Sequence, residues 1–549
     1  MLLHRIAVGH TMLTLLASLW LTALGNLPFW RSVWRAAGGV RPDNFLFLLT
    51  LPLAVLAWSY LLLSAIAWGR ATRALLGAVL LASAAAGYFT HAYGTLFDAG
   101  MIVNVAQTHA AEVRELLDWR LALWVAFFGA LPAGLLARVR VAAASWRREL
   151  GAKAAGMAAA GACLAGLLLA NYAHYASLLR NHRELRLMLV PHNIAAAGYG
   201  YLKRWRAVGA APQPVGLDAV RSSAAALAPR PMLVVLMVGE TARAQNFSLN
   251  GYPRPTNPAL AREDVLSFTE VASCGTSTAV SLPCMFLDVG RAGFDDSLAL
   301  RRESLLDVLQ RAGIAVLWRD NNSGCKGVCD RVPHENLAGL RVAGLCQDGE
   351  CHDEILLHGL QEILDRLDRD ALVVLHMKGS HGPAYYRRYP KAFEVFKPAC
   401  ETAQLDRCSR EAIVNAYDNT LRYTDHVLAR TIELLRANAR RFDTAMLYVS
   451  DHGESLGENG LYLHGIPYAL APREQTRIPM LLWLSQELRR RAALDPACLE
   501  ARRHEPLSHD HLFHSVLGLM EVRTAVYRPE RDLFRGCRAL RSAVHGGTG

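Results

Sequence analysis

The chain has 549 residues, of which 52% are hydrophobic and only 19% charged. Soluble domains average about 25% charged residues, so a single soluble globule, a disordered chain and a small disulfide-stapled peptide are all excluded. The net charge of +11 suits an anionic partner such as a phospholipid surface, and no RNP, zinc-finger or Walker pattern supports nucleic acid.

The charge deficit sits at the amino-terminal end. Residues 1–110 hold two acids, Asp43 and Asp98, and the first lysine is Lys153. Apolar runs recur at 6–27, 45–68, 74–89, 121–136 and 154–172. A helix needs about 20 apolar residues to cross the hydrocarbon core. The first, second and fifth runs reach that length. The third and fourth are shorter and predict little tilt or local thinning of the bilayer. Recurrence through the first third of the chain reads as a membrane domain over 1–178 rather than as buried core helices. The first run is too long, and too poor in a small-residue cleavage site, for a signal peptide. Arg5, then Arg70 and Arg73, then Arg138, Arg140, Arg147, Arg148 and Lys153 fall on one side if the amino terminus is cytoplasmic. Arg31, Arg35 and Arg41 weaken that signal without reversing it. Five spans then place everything after residue 175 or so outside the cytoplasm.

The 11 cysteines test this. Cys163 lies in the fifth run. The others lie beyond it, as the close neighbours Cys274/Cys284, Cys325/Cys329, Cys346/Cys351 and Cys400/Cys408, with Cys498 and Cys537 farther apart. An even number in an exported domain reads as a disulfide set. A zinc ribbon fails, because no C-x₂-C occurs and the spacings differ.

Residues 179–230 read as a connector, basic at Arg180, Arg183, Arg186, Lys203 and Arg204, then rich in Ala and Pro. An amphipathic stretch at 185–205 could lie on a bilayer surface, or be an ordinary solvated helix. From 231 to 549 short β-branched runs at 232–238, 314–318, 372–377, 445–450 and 479–484 alternate with helical patterns at 304–312, 355–367 and 412–438. That alternation predicts an α/β domain with a doubly wound, mostly parallel sheet.

Ligand sites in such sheets lie beyond the carboxyl ends of the strands. The first strand is followed by Gly239-Glu240-Thr241. The 372 strand is followed by Gly379-Ser380-His381-Gly382-Pro383. The 445 strand is followed by Asp451-His452-Gly453-Glu454, with His464-Gly465 farther on. A lone Glu after a strand is commonly a helix-start carboxylate, and a lone His before Gly-Pro a turn residue. An Asp-His pair at a strand end has no such packing rationale. Mixed oxygen and nitrogen groups suit Zn²⁺, with Mn²⁺ as the lesser fit. Such an ion activates a hydroxyl nucleophile and stabilises phosphoryl oxygens. The hydroxyls available lie in the polar stretch 273–284, where spacing leaves Thr276, Ser277 and Thr278 open; a plain surface loop is the bland reading.

These stretches carry a resemblance. The sequence Gly239-Glu240-Thr241-Ala242-Arg243-Ala244-Gln245-Asn246-Phe247-Ser248-Leu249-Asn250-Gly251-Tyr252, the segments 273–286, 379–386 and 450–457 with His464-Gly465, and Met101-Ile102-Val103-Asn104-Val105-Ala106-Gln107-Thr108 resemble the lipid A phosphoethanolamine transferases of Gram-negative bacteria. That family includes the mobile colistin-resistance enzymes, and the likeness covers nearly the whole chain. It implies an alkaline-phosphatase/sulfatase-like domain on five membrane spans, in the inner membrane with the catalytic domain in the periplasm. It implies that a zinc-bound threonine attacks phosphatidylethanolamine, diacylglycerol leaves, and a lipid A phosphate takes the phosphoethanolamine, lowering surface charge and giving polymyxin resistance. By motif position the nucleophile is Thr278 and the zinc ligands are Glu240, Thr278, Asp451 and His452. His381 and His464 would bind the phosphoryl group or a second zinc and assist proton transfer, with Glu454 as a lesser member. Asn104, Thr108 and Glu112 would hold the head group, with Ser323 and Lys326 nearby. The four close cysteine pairs look like the family's disulfides; a Cys498–Cys537 bridge is a separate expectation, as is a monomer.

The chemistry agrees with those roles. Threonine is a poor nucleophile unless its proton is removed or its oxygen is metal-bound, and a histidine titrating near 6.5 can serve either half of a proton transfer. Two transfers through one covalent intermediate predict ping-pong kinetics. The competing readings are transfer to another acceptor such as the lipopolysaccharide inner core, a phosphoglycerol transferase or hydrolase on the same scaffold, and a non-enzymatic membrane scaffold or sensor.

Overall fold

Proline has no N–H to give a preceding turn, so Pro28 ends the first apolar helix. In the computed structural model His10–Trp20 continues as a π-helical turn, Leu21–Gly25, and the chain then bends by 57° into Leu27–Ala37. The structure describes residues 7–538 except 43, 108–109, 143–144, 183, 206–210, 227, 296 and 348. Contacts divide the chain into two units, Met1–Ala106 with Leu117–Lys203, and Gln107–Leu116 with Arg204–Gly549.

In the first unit Phe45–Ile66, Gly69–Tyr93, Trp119–Arg138 and Trp146–Ala170 are long and apolar enough to cross a membrane, and the bent pair makes a fifth span if counted as one. The third and fourth spans are therefore full length. Their apolar runs looked short because polar residues sit within the helices. Thr90, past the end of the third run, satisfies its hydroxyl on the Ala86 carbonyl at 3.0 Å. Lys153 lies inside the last helix rather than in a loop. Its ammonium donates to the carbonyls of Ser64 and Ala67 and sits 3.9 Å from the centre of the Trp68 ring. Those carbonyls close the helix Phe45–Ile66, and a cation there complements the negative end of its dipole. Within the connector, helix His192–Trp205 buries Ala197 and exposes Tyr199 and Leu202.

The second unit is built on an eight-stranded sheet. Its strands are β1 (Met232–Gly239), β2 (Val265–Ala272), β3 (Ala315–Asp320), β4 (His334–Asn336), β5 (Ala371–His376), β6 (Asp443–Ser450), β7 (Arg477–Leu484) and β8 (Leu507–Ser508), in the order β8-β2-β7-β6-β1-β5-β3-β4. All pairings are parallel except those of β7 with β6 and β2, so β7 alone runs the other way. Strand β1 is buried on both faces. Met232, Val234, Leu236 and Val238 meet one helical layer, and Leu233, Val235 and Met237 meet the other, which includes the 28-residue helix Arg410–Ala437. Each such side chain contributes about 1.5–3 kcal/mol of burial free energy. Cysteines pair as Cys274–Cys284, Cys325–Cys329, Cys346–Cys351, Cys400–Cys408 and Cys498–Cys537, with Cys163 free.

Candidate active site

Parallel register sets the site. Gly239 of β1 pairs with Ser450 of β6, and His376 of β5 pairs with Val238 on one side and Asp320 of β3 on the other. Four adjacent strands therefore end at one level, and the residues after them meet. Thr241 adopts a left-handed backbone at φ 53°, which turns the chain directly after Glu240. Gly379 is also left-handed, at φ 52°; a Cβ there would stand 2.7 Å from the Glu240 carbonyl oxygen. Only glycine allows the His381 loop to pass so close to β1.

Glu240, Asp451 and His452 are buried, and one donor atom from each lies within 4.8 Å of the others. Each carboxylate is held by one oxygen and leaves the other over. Glu240 Oε2 accepts from Asn322 Nδ2 at 2.7 Å and Thr278 Oγ1 at 2.9 Å, while Asp451 Oδ1 accepts from the backbone N–H of His452 at 2.7 Å and of Thr241 at 3.2 Å. Glu240 Oε1 and Asp451 Oδ2 have no hydrogen-bond partner among the described residues. The His452 Nδ1 proton goes to the Gly453 carbonyl at 2.9 Å, which leaves Nε2 as the coordinating atom. Burial, then the neighbouring Glu240 carboxylate, pushes Asp451 up to about 6. Burial opposes the charge on His452, but Asp451 and Glu240 together push it up to about 10. The pocket thus carries excess negative charge. Two orphaned carboxylate oxygens and an imidazole nitrogen fit a divalent cation of the zinc type.

The hydroxyl belongs to Thr278, the first residue of helix Thr278–Met285. Its oxygen is also 3.4 Å from His452 Nε2. Free N–H groups and the positive dipole end at that terminus favour an anion. The two other candidate hydroxyls are placed differently: Thr276 donates to the Ile466 carbonyl at 2.6 Å, and Ser277 is the residue preceding the helix. His381 and His464 lie alongside, with ring centres 5.5 Å apart and His464 4.4 Å from His452. His464 Nδ1 lies 3.3 Å from buried Glu454.

Ser323 and Lys326 share the loop after β3, with Lys326 Nζ donating to the Ser323 carbonyl at 2.9 Å. Asn104 is half-buried on helix Ala99–Gln107 in the other unit. Thr108 lies outside the described residues, as does the side chain of Glu112 on helix Ala110–Leu116. Part of the long first motif has a structural role. Asn246, Tyr252 and Arg254 all converge on buried Asp418 of helix Arg410–Ala437, at 2.7, 2.9 and 2.6 Å.

Sequence reasoning missed two supports. Asn322 bridges Glu240 to His376, whose Nδ1 donates to Asp320 at 2.8 Å. His509 ties the Thr278 loop to β6: its Nδ1 accepts from the Cys274 N–H at 3.0 Å, and its Nε2 donates to the Ser450 carbonyl at 2.9 Å. The bond accepted by Nδ1 requires a neutral ring, and burial pushes His509 down to about 4. The unfolded chain, titrating near 6.5, takes up the proton first. Stability present above pH 6.5 is therefore lost as pH falls toward 4, by about 3 kcal/mol in all. His509→Gln is expected to lower the unfolding temperature at pH 7 and to flatten its decline across that window, as read by thermal unfolding in detergent at stepped pH. An unchanged slope would remove His509 from this role.

Comparison with known proteins agrees with the two-unit build. A family model described as phosphoethanolamine transferase EptA/EptB matches residues 55–206, and the sulfatase model matches residues 232–522. Phosphoethanolamine transferase EptA of Escherichia coli strain K12 is 42% identical over 98% of this chain and 99% of its own length. Phosphatidylethanolamine transferase Mcr-1 of Escherichia coli is 36% identical over 94% of this chain and 96% of its own. The structure of the integral membrane lipooligosaccharide phosphoethanolamine transferase A from Neisseria meningitidis superposes with a TM-score of 0.93 at 38% identity, covering 97% of this chain and all of that one. The chain belongs to the EptA family of phosphoethanolamine transferases: it is an inner-membrane protein with a sulfatase-like catalytic domain in the periplasm.

Proposed function

We propose that the protein moves phosphoethanolamine from phosphatidylethanolamine to a phosphate of lipid A through a phosphoethanolamine ester on Thr278. The observation that carries this reading is the Thr278 hydroxyl, at a helix amino terminus and within 2.9 Å of Glu240 and 3.4 Å of His452. The names of the relatives support donor and acceptor, since Mcr-1 is called a phosphatidylethanolamine transferase and the meningococcal structure a lipooligosaccharide phosphoethanolamine transferase.

A zinc ion held by Glu240, Asp451, His452 and Thr278 would lower the pKa of the threonine hydroxyl and offset charge on the phosphoryl oxygens. Glu240 Oε2 receives the threonine hydrogen bond and so points the oxygen at the phosphorus. The Thr278 Oγ–P bond forms as the P–O bond to diacylglycerol breaks; the threonine proton passes to Glu240, which already accepts its hydrogen bond, and the leaving alkoxide takes a proton from His381 or His464. In the second half an oxygen of the acceptor phosphate attacks the same phosphorus and gives its proton to the histidine, the Thr278 Oγ–P bond breaks, and the threonine takes its proton back from Glu240. Glu454 orients His464 for these transfers. Ser323 and Lys326 bind the donor head group, and for Asn104, Thr108 and Glu112 that assignment rests on the motif alone.

The reduced charge on lipid A would weaken binding of cationic polymyxins. Fluorescent phosphatidylethanolamine and lipid A, incubated with the full chain in detergent, should yield diacylglycerol and a lipid A heavier by one phosphoethanolamine. Diacylglycerol without modified lipid A would point to a hydrolase and overturn the reading.

A further inference from the structure

A cavity of about 670 Å³ opens beside the loop that carries His381. That volume is within the range of small-molecule sites, about 300–1,000 Å³. Its lining includes five cations: Arg114, Lys378, Arg387, Arg388 and Lys391.

The carboxylates there are already engaged. Glu350 binds Lys378, and binds Arg388 at 2.8 Å. Burial would raise Glu350, but Arg388 and Lys378 outweigh it and hold it at about 2. Buried Glu115 grips Arg388 through both oxygens, at 2.9 and 2.7 Å. Glu394 and Glu401 hold Lys391 at 2.6 and 2.7 Å. Asp353 accepts the backbone N–H groups of Lys378 and Gly379 and the Asn321 amide, each at 2.8 Å. Arg387, by contrast, is exposed over about a third of its side chain and, among the described residues, makes one long ion-pair contact, 3.7 Å to Glu115. Arg114 is exposed. Lys378 gives one of its three donors to Glu350. The binding capacity left in the cavity is therefore cationic and donor in kind. Planar guanidinium groups match phosphate oxygens two at a time.

The cavity also adjoins the reacting centre. Arg388 Nε donates to the His381 carbonyl at 2.8 Å. From the His381 ring it is 5.5 Å to His464, and 4.4 Å more to His452.

We propose that this cavity holds the acceptor, a phosphorylated saccharide, with Arg387, Arg114 and Lys378 gripping its anionic group while its reacting oxygen reaches past His381. The inference rests on the transferase reading and names the place of its second substrate. Because the two half-reactions separate in time, they can be measured apart.

The test compares full-length wild type, the exposed variant R114Q, and R114Q/R387Q, with R490Q as a control remote from the cavity. Release of diacylglycerol in a single turnover without acceptor reads the donor half. Transfer to lipid A reads the acceptor half, and glucosamine 1-phosphate serves as a soluble competitor. The expected result for R114Q/R387Q is a donor half within twofold of wild type, a KM for lipid A raised about tenfold or more, and weaker competition by glucosamine 1-phosphate. R114Q should lie between wild type and the double variant. An unchanged KM with an intact donor half would overturn the site. So would equal loss of both halves, which would assign the cavity to the donor or to folding. A wild-type chain that released no diacylglycerol would overturn the transferase reading, and with it the acceptor assigned here.

Discussion

Thr278→Ala is expected to abolish the covalent adduct and to cut lipid A modification by about 10⁴-fold or more, the scale seen when a nucleophile is removed from a coupled site. Thr278→Ser keeps an oxygen at the same place and should retain a measurable fraction of the activity. The informative controls are the neighbouring hydroxyls. Thr276→Ala removes a hydrogen bond to the Ile466 carbonyl, so it should cost stability while leaving the adduct. Ser277→Ala should leave the adduct too, because no side-chain bond from Ser277 caps the helix. Intact-protein mass after exposure to phosphatidylethanolamine, followed by peptide mapping, reads all four variants. An adduct that persists in Thr278→Ala would sink the assignment.

Metal removal is the second large effect. Glu240 Oε1 and Asp451 Oδ2 are buried without a hydrogen bond among the described residues, each 3.3 Å from His452 Nε2, and carboxylates so close in a dry pocket repel strongly unless a cation lies between them. Chelation should stop turnover and lower the unfolding temperature, and zinc should restore both. A ligand present at about a thousand times its dissociation constant stabilises the folded state by about 4 kcal/mol. Asp451→Asn should weaken zinc binding most. Asn322→Ala frees the Glu240 oxygen that it now holds at 2.7 Å, and the loss of such outer support typically costs about 10–100-fold in metal affinity. Competition with a chromophoric chelator measures these affinities without reference to turnover. Chelated protein that kept its activity and its unfolding temperature would defeat the metal assignment.

Much of this architecture is legible in the chain because burial leaves a pattern. The runs at 232–238, 372–377 and 445–450 became β1, β5 and β6, since a strand covered on both faces is apolar throughout. Of the polar residues directly after them, Glu240 and His381 could each have been a helix-start or turn residue, and it was the Asp451-His452 pair that had no packing reason to be there. Other features leave no pattern. Val265–Ala272 mixes Ser267, Thr269 and Glu270 with its apolar residues and reads as no strand by periodicity. The reversed direction of β7 is invisible because alternation along a strand carries no sense. Asn322 and His509 each act through a pair of hydrogen bonds set by tertiary register. Their only trace is a polar cluster at each position, Asp320-Asn321-Asn322-Ser323 and Ser508-His509-Asp510-His511. The break after the first apolar run could have been anticipated from Pro28, but hydropathy alone counts straight through it.

The bridge between Cys274 and Cys284 spans the segment that presents Thr278. On the proposed mechanism this ties activity to export: a chain still facing the reducing cytosol would lack the covalent clasp around Thr278, and thiol oxidation would complete the site only at its destination.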